Sequence, residues 1–268
     1  MPIHPQAIVD PKATIAADVS VGPFCIIGEH VTIESGVELK NSVTVLPNTT
    51  IKARTRVFPG AVLGGDPQSR SYAGEPSEVV IGEDCVIHEY VTINKGTASG
   101  RMLTSIGDRC MIMAYAHVAH DCELAEDVIL GNNTQLAGHV KVGRKAIISG
   151  MTGVHHFATI GELAFVGAMS GLRMDVPPFL TYDGIPAEPR NVNVIGLRRD
   201  GWSDDEVRAL KEAFRLFYHT RNGRPLSEVL DELPTLPIGA SRGVQRLGEW
   251  LGWHLGHNRK GREQESHR

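Results

Sequence analysis

The chain has 268 residues and a formal net charge of −4, and it is 41% hydrophobic but only 6% aromatic. That charge argues against a nucleic-acid partner, because such domains are usually basic overall. No apolar run approaches the ~20 residues that cross a membrane, and Met1-Pro2-Ile3-His4 has no charged-then-apolar leader, so a cytoplasmic protein without an integral membrane segment is expected.

From the N-terminus an aliphatic residue returns at every sixth position: Ile3, Val9, Ile15, Val21, Ile27, Ile33, Leu39, Val45, Ile51, Val57 and Leu63. The period resumes at Ile81, Ile87 and Ile93, then runs from Ile106 through Ile112, Val118, Leu124, Leu130 and Leu136 to Leu172. Two residues before each of these stands a small or β-branched residue, such as Ala7, Cys25, Val31, Cys110, Cys122 and Val128. Neither a helical period nor strand alternation produces this spacing. A short unit that buries one large and one small side chain per flat face does, which predicts an all-β parallel β-helix of hexapeptide repeats. Cys25, Cys85, Cys110 and Cys122 all fall in the small-residue slot, so they read as packing thiols rather than disulfides or metal ligands.

Two interruptions follow. Leu63 and Ile81 are in phase, yet the slots between them hold Ser69 and Glu75, so a loop leaves the coil near 64–78. Ile93 and Ile106 are 13 apart, which places one extra residue and a second loop near 97–104. Pro177-Pro178 ends the strand pattern. Ser203-Asp204-Asp205-Glu206 is a capping box before Val207, Leu210, Phe214 and Phe217, and further helices are expected over Leu226–Leu233 and near Val244–Leu255. The expected organisation is a β-helix over 1–180, a helical domain over 181–258 that covers the open coil end, and a disordered tail over 259–268.

Three hexads make one triangular coil, so residues 18 apart stack at about the strand spacing of ~4.8 Å. His120, Gly138 and His156 form one outward column, and Asp121, His139 and Phe157 form the next, with His117 and His155 close by. An imidazole is the usual general base for a hydroxyl or amine. A glycine N–H one coil away, with no Cβ to block approach, can donate to a developing oxyanion. Acyl transfer needs both. A metal is the rival reading: His120 and His156 lie ~9–10 Å apart, too far for one zinc, whereas His120 and His139 could share one. No P-loop or dinucleotide fingerprint is present, and no cofactor or metal is expected.

The segments His117-Val118-Ala119-His120-Asp121-Cys122, Leu136-Ala137-Gly138-His139-Val140 and Gly150-Met151-Thr152-Gly153-Val154-His155-His156-Phe157 resemble the UDP-N-acetylglucosamine O-acyltransferases that open lipid A biosynthesis. The likeness extends to Tyr72-Ala73-Gly74-Glu75-Pro76, Ile93-Asn94-Lys95-Gly96-Thr97, Asp175-Val176-Pro177-Pro178 and Gly196-Leu197-Arg198-Arg199. It implies a left-handed β-helix, a homotrimer with active sites between subunits, and transfer of a (3-hydroxy)fatty acyl group from acyl carrier protein to the 3-hydroxyl of the sugar. It makes His120 the base and the Gly138 N–H the oxyanion donor. Gln68, His117, Asp121, His139, His155 and His156 become substrate-binding residues, Asn193 and Arg199 lie near the nucleotide, and Ala168 marks the end of the acyl chain.

Three positions depart from the family pattern. Ser69 and Ser71 replace an acid and a lysine of the first loop, with Arg70 as a substitute cation, and Ile195 stands where some members carry Glu. The alternatives are the same machinery acting on another UDP-amino sugar, a metal enzyme of the γ-carbonic anhydrase type, and a non-catalytic solenoid.

Overall fold

The computed structural model describes residues 3–221 and 223–256. The chain winds into a left-handed parallel β-helix of triangular section, with sheets of nine, eight and ten strands as its three faces. Face 1 runs from Ile8–Val9 to Gly171–Leu172, face 2 from Thr14–Ile15 to Thr159–Ile160, and face 3 from Ser20–Val21 to Glu188–Val192. Ile8 pairs with Ile26 and Thr14 with Thr32, so each coil closes after three hexads. The hexad columns point inward: Ile27, Ile33, Leu39, Ile51, Ile87 and Leu130 are fully buried, as are the small slots at Val31, Val37 and Val128. All four cysteines are free and buried in the coil, where desolvation pushes the Cys122 thiol up to about 12.

The first loop leaves the coil as expected. Ile51 pairs with Ile81 and not with Ser69, the residue one regular coil further on, so two hexads of chain are expelled between Leu63 and Ile81. The second loop corrects the reading of a single extra residue. Ile81 pairs with Ile106 and not with Ser99, so a whole hexad leaves the coil together with the extra residue. The chain departs after Asn94 and re-enters at Leu103.

The expected boundary at 180 falls too early. Leu180–Asp183 adds to face 3 in parallel, and Glu188–Val192 then pairs back antiparallel, with Pro189 inside this last strand. An edge strand tolerates proline, so this strand rather than a helix closes the open edge of face 3. Among the described residues four α-helices follow: α1 (Val194–Arg199), α2 (Asp204–Tyr218), α3 (Leu226–Glu232) and α4 (Arg242–Gly256). The capping box forms at α2, where Ser203 accepts from the Glu206 N–H and Glu206 from the Ser203 N–H. Val207, Leu210, Phe214 and Phe217 are buried on one face of that helix. Ion pairs bind the helices to the coil: Arg144 and Lys145 meet Asp200, Arg246 meets Glu162, and His254 meets Asp175 at 2.5 Å. The tail assigned to 259–268 lies outside the described residues.

The three edges of the prism differ in chemistry although their turns share one geometry. At each, the second turn residue takes a left-handed φ near +60°, as at Tyr115, Asp121 and Asp127. The edge between faces 2 and 3 carries a solvated charge file in which Arg54 bonds Asp84 and Arg109 bonds Asp127. The edge between faces 3 and 1 exposes Phe24, Tyr90, Tyr115, Met151 and Met169. The edge between faces 1 and 2 carries the histidines.

Candidate active site

The first turn residue of a coil gives its N–H to no backbone acceptor, although Ala53 and Glu83 donate theirs to the side chains of Glu34 and Asp108. Pro5, Pro11, Pro23, Pro47 and Pro59 occupy that slot in the early coils, and proline has no N–H to give. His120, Gly138 and His156 occupy the same slot in later coils. Among the described residues the Gly138 N–H meets no backbone acceptor, so it is left over for a ligand. The ring of His120 lies against Gly138, where an added Cβ would sit 2.5 Å from Cε1 and 2.7 Å from Nε2. Glycine is required there by close approach.

His120 Nδ1 lies 2.9 Å from Asp121 Oδ2. A carboxylate only accepts, so Nδ1 carries the proton and Nε2 is left with its lone pair. Asp121 is 2% exposed and lies behind the imidazole rather than facing a ligand, which corrects its placement among the substrate-binding residues. The second loop closes over it. Thr97 Oγ1 donates to Oδ2 at 2.6 Å, the Thr97 N–H approaches both oxygens at 3.1 Å, and the Arg101 N–H donates to Oδ1 at 2.7 Å. Burial alone would push the carboxyl up, but the hydrogen bonds from His120, Thr97 and Arg101 hold it well below the usual carboxylate range.

A cleft of about 560 Å³ opens on face 1 in front of His120. His117, Gly138, His155 and His156 line it, and Gln68 reaches it from the first loop. His117 Nδ1 is 2.7 Å from Thr92 Oγ1, and burial followed by the neighbouring His120 lowers its pKa, which favours the neutral ring. His139 does not line the cleft. It stacks on Phe157 at 4.4 Å and meets the His120 ring edge-on at 5.0 Å, bracing that ring from the side. Ser69 and Ser71 hydrogen-bond each other at 3.0 Å outside the cleft.

Other lining residues escaped the sequence reading, Gly153, Gly171 and Arg173 among them. Gly153 and Gly171 stack in the outward strand column above His117 and Gln135, and a Cβ at Gly153 would meet nothing within 4 Å, so two missing side chains hollow the wall. Consecutive glycines in an outward strand slot, one coil apart, were the available signal. Arg173 stacks one coil beyond His155 and lines the same end.

Asn193 and Arg199 are elsewhere. They line a second cleft of about 740 Å³ on face 3, with Phe165, Lys145, Ile195 and Asp200. Asn193 caps α1, accepting from the Gly196 N–H and donating to the Leu163 carbonyl, so its side chain is committed to the fold. Ala168 is exposed on the edge between faces 3 and 1, beside Met169, whose N–H donates to the Gly150 carbonyl.

Among the described residues, His120, Asp121 and His139 each put one donor atom within 4.8 Å of the others and are the group that could hold a cation. The Nδ1–H of His120 already points at Asp121, however, and Thr97 and Arg101 fill the remaining carboxylate lone pairs. That arrangement suits an oriented base better than a ligand set.

Comparison with known proteins agrees with this geometry. The family described as "Udp N-acetylglucosamine O-acyltransferase; Domain 2" matches residues 175–251, and the bacterial transferase hexapeptide family matches 103–138. The acyl-[acyl-carrier-protein]--UDP-N-acetylglucosamine O-acyltransferase of Alkalilimnicola ehrlichii is 45% identical over 87% of this chain and 90% of its own length. Among solved structures, LpxA from Acinetobacter baumannii is similar at a TM-score of 0.88 and 35% identity, covering 92% of this chain and 95% of that one. The UDP-N-acetylglucosamine O-acyltransferase of Moraxella catarrhalis matches at 0.87 and 38%, over 93% and 96%. With similarity over most of its length to these enzymes, the chain belongs to the UDP-N-acetylglucosamine O-acyltransferase family.

Proposed function

We propose that the protein transfers a (3-hydroxy)fatty acyl group from an acyl carrier protein thioester to the 3-hydroxyl of UDP-N-acetylglucosamine, the step that opens lipid A biosynthesis. One observation carries this reading: His120, held by Asp121 through Nδ1, lies directly on Gly138, whose N–H the coil does not use. His120 Nε2 takes the proton of the sugar hydroxyl as its oxygen attacks the thioester carbonyl. The oxyanion of the tetrahedral intermediate accepts from the Gly138 N–H. Collapse expels the carrier thiolate, which recovers the proton from His120. One ester bond replaces one thioester bond, and no cofactor takes part.

The site is completed between subunits. The cleft with His120 lies on face 1 and the cleft with Asn193 and Arg199 on face 3, so one small ligand does not span both within a single chain. Between these faces runs the edge that exposes Phe24, Tyr90, Tyr115, Met151 and Met169, an apolar file of the kind that marks an interface. Threefold packing around this edge sets face 1 of one subunit against face 3 of the next, joining base and nucleotide cleft. Gln68, His117, His155 and His156 then hold the sugar and phosphates, and Ala168 lies on the shared edge where an acyl chain runs out.

Acyl carrier protein thioesters of several chain lengths, assayed against UDP-N-acetylglucosamine and a UDP-sugar bearing an amine at the 3-position, test the assignment. His120→Ala is expected to lower kcat by ~10²–10⁴-fold with the trimer intact. Wild-type turnover in that variant removes His120 from the mechanism. Preference for the amine would transfer the reaction to another UDP-amino sugar, an outcome compatible with the self-paired Ser69 and Ser71 and the exposed Ile195.

A further inference from the structure

The second loop does more than bridge two strands. Between Asn94 and Leu103 it makes a tight turn in which the Gly100 and Met102 N–H groups both donate to the Thr97 carbonyl, at 3.0 and 3.2 Å. The turn is wrapped around the carboxylate of Asp121, which the chain reaches only one coil later. A Cβ on Gly100 would fall 2.3 Å from that carboxylate, so the wrap tolerates only glycine there. Thr97 is 1% exposed, and its hydroxyl supplies the shortest of the contacts to Asp121 Oδ2, the same oxygen that faces His120 Nδ1.

We infer that Thr97 is a positioning residue for the reaction, fixing the Asp121 carboxylate so that one oxygen both orients the His120 ring and shares its negative charge with the Thr97 hydroxyl. The inference rests on His120 being the general base. Thr97 does not line the cleft, and its hydroxyl meets Asp121 and, at 3.3 Å, Ser99, so its path to the base runs through Asp121. The loop is also anchored outward: the Ala98 N–H, next in sequence, donates to Glu75 Oε1 at 3.0 Å, and Glu75 belongs to the first loop, which brings Gln68 to the cleft. The loop that meets substrate and the carboxylate that sets the base are thereby joined through residues 97 and 98.

The sign of the effect follows from charge. While the hydroxyl donates to Oδ2, that oxygen has less negative charge to offer the imidazolium. Removing the donor strengthens the pull on His120, raises the pH at which the ring loses its second proton, and frees the carboxylate to turn. The other charged or titratable groups facing this site are His117, whose pKa is lowered by burial and then by His120, and His139, whose Nε2 is 3.9 Å from Asp121 Oδ2. The Arg101 guanidinium points away, to Glu123 and Ser105. None of these changes when the hydroxyl is removed.

The test compares Thr97→Val and Thr97→Ser with His120→Ala in the full-length trimer, recording kcat, KM and the pH dependence of kcat/KM. Thr97→Val should lower kcat about tenfold, the order expected for one hydrogen bond to a charged group. KM for the nucleotide sugar should stay within about twofold, the acidic limb of the profile should move to higher pH, and Thr97→Ser should restore both kcat and the limb. If Thr97→Val keeps the wild-type kcat and limb, or if it loses activity with the limb unmoved and Thr97→Ser no better, the positioning role is wrong. An active His120→Ala would instead overturn the underlying assignment of the base, so the two failures are distinguishable.

Discussion

Two edges of the prism use the same backbone turn and each pairs a basic side chain with an aspartate, yet the two pairs stand in different surroundings. Between faces 2 and 3, Arg109 and Asp127 pair at 2.8 Å with side chains 52% and 27% exposed. Between faces 1 and 2, His120 and Asp121 pair at 2.9 Å with side chains 12% and 0% exposed. In both, a cation or potential cation meets an aspartate held at positive φ. The difference is the second loop, which folds over Asp121 and supplies it with N–H and O–H donors in place of water. An exposed pair is screened and worth little, whereas a buried carboxylate with its donors in place is a fixed charge that can set the direction and tautomer of a neighbouring ring. Chemistry has been built on this coil by covering one corner, not by changing the repeat.

The covered corner is most vulnerable at Gly138. A Cβ there would meet the His120 ring at 2.5 Å, displacing the base and crowding the N–H assigned to the oxyanion at once. Gly138→Ala should lower kcat by ~10²–10³-fold, the range for losing one oxyanion donor, with the melting temperature nearly unchanged because the position faces outward. Unimpaired turnover would mean that the oxyanion is held elsewhere. Gly252→Ala serves as the control: a Cβ there would meet nothing within 4 Å and the residue lies on α4, outside both clefts, so activity should survive.

The two corners differed equally in how far the sequence could be read. The aliphatic columns, the first loop, the capping box of α2 and the His120–Gly138 stack are all consequences of short, periodic spacing, and they stand in the structure as expected. What depended on contacts from outside the repeat was not legible. The phase between Ile93 and Ile106 slips by one position whether or not a whole hexad is expelled as well, and only the pairing of Ile81 with Ile106 decides. Asp121 reads as an outward residue in its hexad, and its burial comes from Thr97 and Arg101 on that same loop. Pro189 disguised the last strand of face 3, because its edge position made the missing N–H harmless. Asn193 and Arg199 could be matched to a family motif, but nothing in their spacing shows that they sit on a different face from the histidines.

A second contrast between the corners appears in acid. The donors around Asp121 hold its folded pKa below the ordinary value near 3.9. A depressed carboxylate contributes stability that is fully present above its unfolded pKa and is lost as pH falls towards the folded value. Asp121→Asn should therefore melt below the wild type by roughly 5 °C between pH 5 and 8, with the gap closing as pH drops under about 4. Melting curves at a series of pH values decide it: a gap that stays constant down to pH 3 would mean the variant fails for reasons of shape and not of charge.

The smallest effect belongs to the open corner, where geometry and solvent give opposite expectations. Asp127 Oδ1 and Oδ2 accept from Arg109 Nε and Nη2 at 2.8 and 3.0 Å, a two-point contact with good geometry. In geometry alone this pair is better made than the single bond between His120 and Asp121. If geometry decided the outcome, Arg109→Ala would be the more damaging change. Solvent decides instead: water replaces the guanidinium at a carboxylate it already reaches, and the ordering of the long arginine side chain offsets what the contact contributes. Arg109→Ala should leave melting temperature within the scatter of replicate measurements, at low salt and at high salt alike. A clear drop in melting temperature that shrinks as salt is added would show that the charge file along this edge acts as a network, and covered and open corners would then differ only in degree.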